Sequence, residues 1–317
     1  YPPPQPTALL EGYANLYGAL PEQIVMTRGA DEAIVVLSNL FCEPHKDSII
    51  ICPPTFGMYS RSASVMPAKL KEVPLIETNG TFKLDSAKIT ETAKDDDVKL
   101  VFICNPNNPT GTPFAHKDIL DLCAAIQGRA IVILDETYAE FSKDGSLAPE
   151  LPNVPNLIIL RTLSKSYALA GARMGSLLCA DEDFIQLVRS KSLDAYPLPT
   201  SSIQAAMKVM QPEIQKKAQE NIQTLLAERD RLFTHFSASE LVEHIYPSDA
   251  NFLLIRMKSA KEFIEHCAAK GVILRDFTDK PMTQSCIRIS PSLPEHNDLL
   301  IKLLMEFQQK IMAGSAA

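Results

Sequence analysis

The segment R-T-L-S-K-S-Y-A-L-A-G-A-R-M-G at 161–175 sets Lys165 among the hydroxyl residues Thr162 and Ser164, eight positions ahead of Arg173. A lysine amine partly withdrawn from water can be neutral near pH 7 and attack a carbonyl to form a Schiff base. Lys165 follows the apolar run L-I-I-L at 157–160, which places it at the end of an expected strand and not on a solvated face. Asp135 ends a second such run, I-V-I-L at 131–134. An unpaired buried carboxylate is costly, so this one needs a cation or hydrogen-bond donors.

Further polar groups follow the same runs. Tyr138 lies three residues beyond Asp135, and Asn108 sits in N-P-N-N-P-T-G after the run L-V-F-I-C at 100–104. Both can donate to a phenolate oxygen and lower the pKa of an imine. Thr162, Ser164 and Arg173 supply two hydroxyls and a guanidinium, a set suited to a dianionic phosphate. The segment R-G-A-D-E-A-I at 28–34 reads as a glycine turn opening a helix, whose first free N–H groups and dipole also favour an anion. Phe56, in P-P-T-F-G-M-Y, can stack on a flat ring, and Arg275 and Arg288 can clamp anionic groups bidentately. In this company Asp135 is read as holding a protonated ring nitrogen, as a pyridoxal cofactor needs if its ring is to accept electrons; a helix N-cap is the alternative.

These residues need a scaffold. From 45 to 180, short apolar runs (48–52, 100–104, 131–134, 157–160) alternate with amphipathic stretches such as 30–42 and 115–127, the pattern of an open, mostly parallel, doubly wound α/β sheet. Four polar clusters then meet at the carboxyl edge of that sheet, where open α/β folds bind ligands. A large lobe is expected over 1–211. A smaller α+β lobe is expected over 212–317, with a long helix from 212, strands at 251–256, 271–275 and 286–290 around a helix at 259–270, and a last helix from about Pro294.

Composition narrows the function. The 317 residues, 46% of them hydrophobic, can bury a large core. The net charge of -7 is spread along the chain without a basic block, which argues against nucleic acid. No run reaches the ~18–20 apolar residues of a membrane span. Seven cysteines without a C-x-x-C pair point to reduced thiols and a cytoplasmic setting. The six histidines show no ligand spacing, so no metal is expected. Neither G-x-S-x-G, a Walker lysine loop nor G-x-G-x-x-G occurs. The opening Y-P-P-P-Q-P has neither Met nor leader features, as if the chain starts mid-protein or has been trimmed, and the closing G-S-A-A carries no evident signal.

In order, N-P-N-N-P-T-G, D-E-T-Y, T-L-S-K and G-A-R-M-G resemble the fold-type I pyridoxal-phosphate aminotransferases across essentially the whole chain. Y-P-P-P-Q-P, T-R-G-A-D-E-A-I, C-P-P-T-F-G-M-Y, G-V-I-L-R-D-F and C-I-R-I-S are similar to the histidinol-phosphate aminotransferase family within that class. The resemblance implies a homodimer in which Tyr1 reaches the neighbouring subunit's cofactor phosphate. It implies that Lys165 bears pyridoxal 5'-phosphate, with Gly29, Ala30, Asp31, Thr162, Ser164 and Arg173 around its phosphate. Phe56 would then cover the ring, Asn108 and Tyr138 would meet the phenolic oxygen, and Asp135 the ring nitrogen; Arg275 and Arg288 would contact the substrate's phosphate or carboxylate.

The implied reaction exchanges the amino group between L-histidinol phosphate and 2-oxoglutarate, giving imidazole-acetol phosphate and L-glutamate, a step of histidine biosynthesis. Threonine-phosphate decarboxylase and aromatic or broad-range aminotransferases are alternatives on the same fold, and a non-catalytic ligand-sensing domain is the alternative from another class. Two departures stand out: the family's N-terminal arm is absent, and Phe56 stands where a tyrosine is expected.

Overall fold

The computed structural model describes residues 1–314; residues 315–317, the last three of the G-S-A-A ending, lie outside the described residues. The chain opens with α1 (Thr7–Tyr17), β1 (Ile24–Thr27), α2 (Gly29–Phe41), β2 (Ser48–Ile51), α3 (Met58–Val65) and β3 (Lys69–Glu72). A hairpin of β4 (Ile76–Thr78) and β5 (Thr81–Lys83) follows, then α4 (Ser86–Thr92), β6 (Val98–Cys104), α5 (His116–Ala125), β7 (Ile131–Asp135), β8 (Leu157–Thr162) and β9 (Gly175–Cys179). Next come α6 (Glu182–Leu187), α7 (Thr200–Val209) and the 26-residue α8 (Pro212–Ser237). The remainder holds β10 (Val242–Ile245), β11 (Leu253–Met257), α9 (Ala260–Ala268), β12 (Arg275–Asp276), β13 (Cys286–Ile289) and α10 (Pro294–Gly314).

The seven-stranded sheet runs β1-β9-β8-β7-β6-β2-β3. It is parallel from β8 to β3, while β9 near the other edge is reversed, antiparallel to both β8 and the edge strand β1. β7 and β8 are apolar almost throughout because both sheet faces are covered. Alternate side chains divide between two cores: Val101, Ile103, Val132, Leu134 and Ile159 join one, and Leu100, Phe102, Ile133, Ile158 and Leu160 join the other. The parallel direction brings the ends of β2, β6, β7 and β8 to one edge. Beyond α8, a four-stranded antiparallel sheet, β10-β11-β13-β12, packs with α9 and α10 around its own apolar cluster.

Some elements differ from expectation. Residues 272–274 are unpaired, and pairing with β13 starts only where Arg275 meets Arg288, after the turn at Gly271 (φ 82°) that closes α9. β1, β3, β9 and β10 were not expected: all four are only four or five residues long, and K-L-K-E of β3 carries no apolar run. The exposed side of β1 is blunted from within, because the Gln5 amide accepts from Met26 N at 2.8 Å and donates to Met26 O at 2.9 Å. All seven cysteines are free and buried. Among the described residues, no helix is long and apolar enough to cross a membrane.

One glycine fixes how β9 meets α2. A Cβ at Gly175 would lie 2.6 Å from the Gly29 carbonyl carbon and 2.8 Å from Ala30 N, so only a bare backbone lets β9 reach the first turn of α2. Gly175→Ala is expected to cost roughly 1–3 kcal/mol in urea unfolding, because the clash is with backbone. An unchanged midpoint would contradict this packing.

Candidate active site

Asp135 ends β7 and is 2% exposed. Its Oδ1 accepts from Thr137 N at 3.0 Å and from the Thr137 hydroxyl at 2.6 Å, and its Oδ2 accepts from the Tyr59 hydroxyl at 2.8 Å. Burial pushes its pKa up, and these donors oppose that by favouring the charged form. A carboxylate offers about four acceptor positions, so three donors leave one on Oδ2. Tyr59 is held by stacking on Phe102 (centroids 4.8 Å apart, 16°) and by the edge-on ring of Phe56 at 5.7 Å.

Lys165 follows β8 in a loop closed by Leu169 N to Leu163 O at 3.1 Å and Ala168 N to Lys165 O at 3.2 Å. As a residue it is exposed, yet its Nζ lies 5.8 Å from the centroid of the buried Tyr138 ring, so the side chain enters an open crevice. The walls of that crevice lower its pKa: desolvation is the largest cause and the Arg288 charge the next, with Asp31 and Asp135 opposing. Below the loop, Arg161 is buried against Glu136 (2.8 Å) and Glu140 (2.6 Å), with its guanidinium 4.7 Å from the centroid of the Tyr17 ring. This ion group ties the end of β8 to the segment that follows β7.

A cationic end lies where α2, β8 and β9 meet. Arg173 adopts the left-handed conformation (φ 52°), uncommon for a residue with a Cβ, and donates from Nη2 to Asp31 Oδ2 at 2.9 Å. Gly29 has φ 76°, a conformation that favours glycine, and a Cβ there would lie 2.6 Å from that Nη2 and displace the guanidinium. Arg28 gives α2 no side-chain cap. Thr162 and Ser164 share a hydroxyl contact of 2.9 Å, and Thr162 also donates to Met174 O at 3.1 Å. Since the Arg173–Asp31 pair is nearly half exposed, it contributes little stability and can be exchanged for an anion at small cost.

The second sheet closes the crevice. Arg288 donates from Nη1 to Asn108 Oδ1 at 2.7 Å, which fixes the amide and leaves Asn108 Nδ2 as its donor end. The guanidinium lies 4.8 Å from the Phe252 ring centroid and 6.0 Å from that of Phe277, and its Nε is buried without a partner. Arg275 is directly opposite Arg288 in the β12–β13 ladder, so both side chains rise from one face. Like charges so placed are destabilising. The Arg288 pKa is lowered, by burial first, with Tyr138 opposing and Arg275 lowering it further.

The structure thus gathers Asp135, Tyr138, Lys165, Asn108 and Arg288 in one crevice, with Asp31 and Arg173 at its cationic end. Phe56 is half-buried beside Tyr59. Tyr1 is placed apart, fully exposed and stacked on Tyr196 at 4.3 Å. Sequence reasoning missed Tyr59, Thr137, Phe252 and Phe277. Tyr59 stands three residues after Phe56 and Thr137 two after Asp135, so spacing alone held a signal; the two phenylalanines had none. Among the described residues, no cluster of His, Cys, Asp and Glu could hold a metal ion.

The crevice accommodates a flat, anionic aldehyde cofactor such as pyridoxal phosphate: one acceptor position remains on Asp135, a depressed lysine amine stands nearby, and a separate cationic end is ready for phosphate. The direction of the Lys165 shift can be tested by pH-resolved acetylation of the cofactor-free protein, read by mass spectrometry. Lys165 is expected to react at lower pH than the surface lysines, and Arg288→Ala to move its profile upward by removing a neighbouring positive charge. A Lys165 profile matching the surface lysines would contradict it.

Comparison with known proteins identifies the family. The family model described as aminotransferase class I and II matches residues 1–304. A histidinol-phosphate aminotransferase of Stenotrophomonas maltophilia is 40% identical over 304 residues, covering 96% of this chain and 83% of that protein. Histidinol-phosphate aminotransferase 1 of Pasteurella multocida is 39% identical, covering 96% and 84%. The crystal structure of histidinol-phosphate aminotransferase from Sinorhizobium meliloti in complex with pyridoxal-5'-phosphate superposes with a TM-score of 0.87 at 23% identity, covering 98% of this chain and 83% of that one. The chain belongs to the class I and II aminotransferase family.

Proposed function

We propose that this chain is a pyridoxal-phosphate-dependent aminotransferase that exchanges the amino group between L-histidinol phosphate and 2-oxoglutarate, yielding imidazole-acetol phosphate and L-glutamate. The observation that carries the substrate class is the facing pair Arg275 and Arg288, two cations held together at a cost that an anionic substrate group offsets. Relatives about 40% identical that bear the name histidinol-phosphate aminotransferase support it. Histidinol phosphate presents a phosphate and glutamate presents two carboxylates, so both half-reactions bring anions to these arginines.

When bound, pyridoxal phosphate supplies a carbonyl that condenses with amines and a ring that withdraws electrons. Lys165 Nζ would hold it covalently and, as a free amine, would be the base for the proton on the substrate Cα. Asp135 Oδ2 would accept a hydrogen bond from the protonated ring nitrogen. Tyr138 and Asn108 Nδ2 would donate to the phenolic oxygen, while Phe56 would cover the ring. Arg173, Thr162, Ser164 and the first turn of α2 at Gly29, Ala30 and Asp31 take the phosphate. We also assign residues 1–211 to a large lobe and 212–317 to a small one, with the chain acting in the cytoplasm as a homodimer in which Tyr1 reaches the partner's site. The full exposure of Tyr1 supports that last reading.

Single-turnover absorbance with histidinol phosphate, O-phosphothreonine and phenylalanine tests the substrate. Histidinol phosphate is expected to convert the chromophore, with 2-oxoglutarate restoring it. Arg288→Ala is expected to raise the concentration of histidinol phosphate required by at least ~10-fold, as befits loss of a charged hydrogen bond. Conversion by O-phosphothreonine or phenylalanine but not by histidinol phosphate would overturn the assignment.

A further inference from the structure

We propose that Tyr59 is a positioning residue for Asp135: its hydroxyl fixes Oδ2 so that the single acceptor position left on the carboxylate is the one that meets the ring nitrogen. The inference rests on the pyridoxal-phosphate reading of the crevice. Tyr59 is fully buried, and its ring is clamped between the stacked Phe102 of β6 and the edge of Phe56, so the hydroxyl has little freedom. It donates to Asp135 Oδ2 at 2.8 Å. Thr137 occupies Oδ1 with two donors. The carboxyl therefore cannot rotate without breaking three hydrogen bonds, and its orientation is set before any ligand arrives.

The same contact governs charge. Asp135 is buried, with Asp31 raising the cost of its ionised form, and the other titratable groups around it are Cys104, Tyr138 and Lys165. A donor on Oδ2 favours the carboxylate over the acid. Without it, the proton shared with a ring nitrogen moves toward Asp135, and the ring loses the positive charge that makes it an electron sink.

Tyr59→Phe keeps both ring contacts and removes one hydroxyl. In holoenzyme carrying cofactor labelled with nitrogen-15 in its ring, wild type is expected to show a protonated ring nitrogen. The Tyr59→Phe variant should show a resonance displaced toward the unprotonated value and hold the cofactor on the order of 10-fold more weakly. Tyr246→Phe, which removes a hydroxyl donated to Glu77 outside the crevice at 2.7 Å, should change neither. Independently of the Phe variant, the wild-type Tyr59 hydroxyl proton should exchange slowly and shift in Asp135→Asn. A Tyr59→Phe holoenzyme matching wild type in resonance and affinity, or a Tyr59 hydroxyl in fast exchange, overturns the proposal. Failure of wild type to take up the cofactor would instead overturn the reading on which it rests.

Discussion

The Lys165 amine stands under opposed influences: withdrawal from water and the Arg288 charge drive its proton off, while Asp31 and Asp135 hold it on. The first pair wins, and the amine holds its proton less tightly than a surface lysine's. β8 delivers Lys165, β7 delivers Asp135, and parallel pairing aligns their ends, with Asp135 beside Leu160. The buried Arg161–Glu136–Glu140 group ties the two strand ends together, and losing one partner of such a set costs roughly 3–5 kcal/mol because a charge is left stranded.

The crevice belongs to both sheets. Arg288 from the second sheet bonds Asn108 from the first, and the loop 105–111 that carries Asn108 is pinned by Asp249 N to Gly111 O at 2.9 Å. Arg288 is thereby registered against Asn108 and the ends of the first sheet's strands through a few short contacts. The facing arginines are unfavourable on their own, a cost that the anionic substrate proposed above would offset. The left-handed backbone of Arg173 fits the same pattern, since strained conformations gather where a side chain must be aimed.

Much of this was legible in the sequence. Continuous apolar runs at 131–134 and 157–160 announced buried parallel strands, and the polar residue after each announced the edge where chemistry occurs. Charged and hydroxyl residues break apolar patterns, so Lys165, Asp135, Arg173 and Arg288 stood out. Tyr59, Phe252 and Phe277 did not, because a buried aromatic looks the same in a sequence whether it fills a core or aims a carboxylate or guanidinium. The strand at 271–275 was misplaced for a related reason: V-I-L is apolar, but the ladder is set by Arg275 opposite Arg288, a pairing made at long range. Gly175 was read only as part of a motif, since the close approach it permits exists only after folding.

The central claim is that the ε-nitrogen of Lys165 is the amine that forms the covalent link. Borohydride reduction of protein loaded with pyridoxal phosphate, followed by proteolysis and mass spectrometry, tests it directly. The account predicts loss of the visible absorbance and a single phosphopyridoxyl group on Lys165, absent from Lys165→Ala. Reduction that labels another lysine, or none, would contradict it.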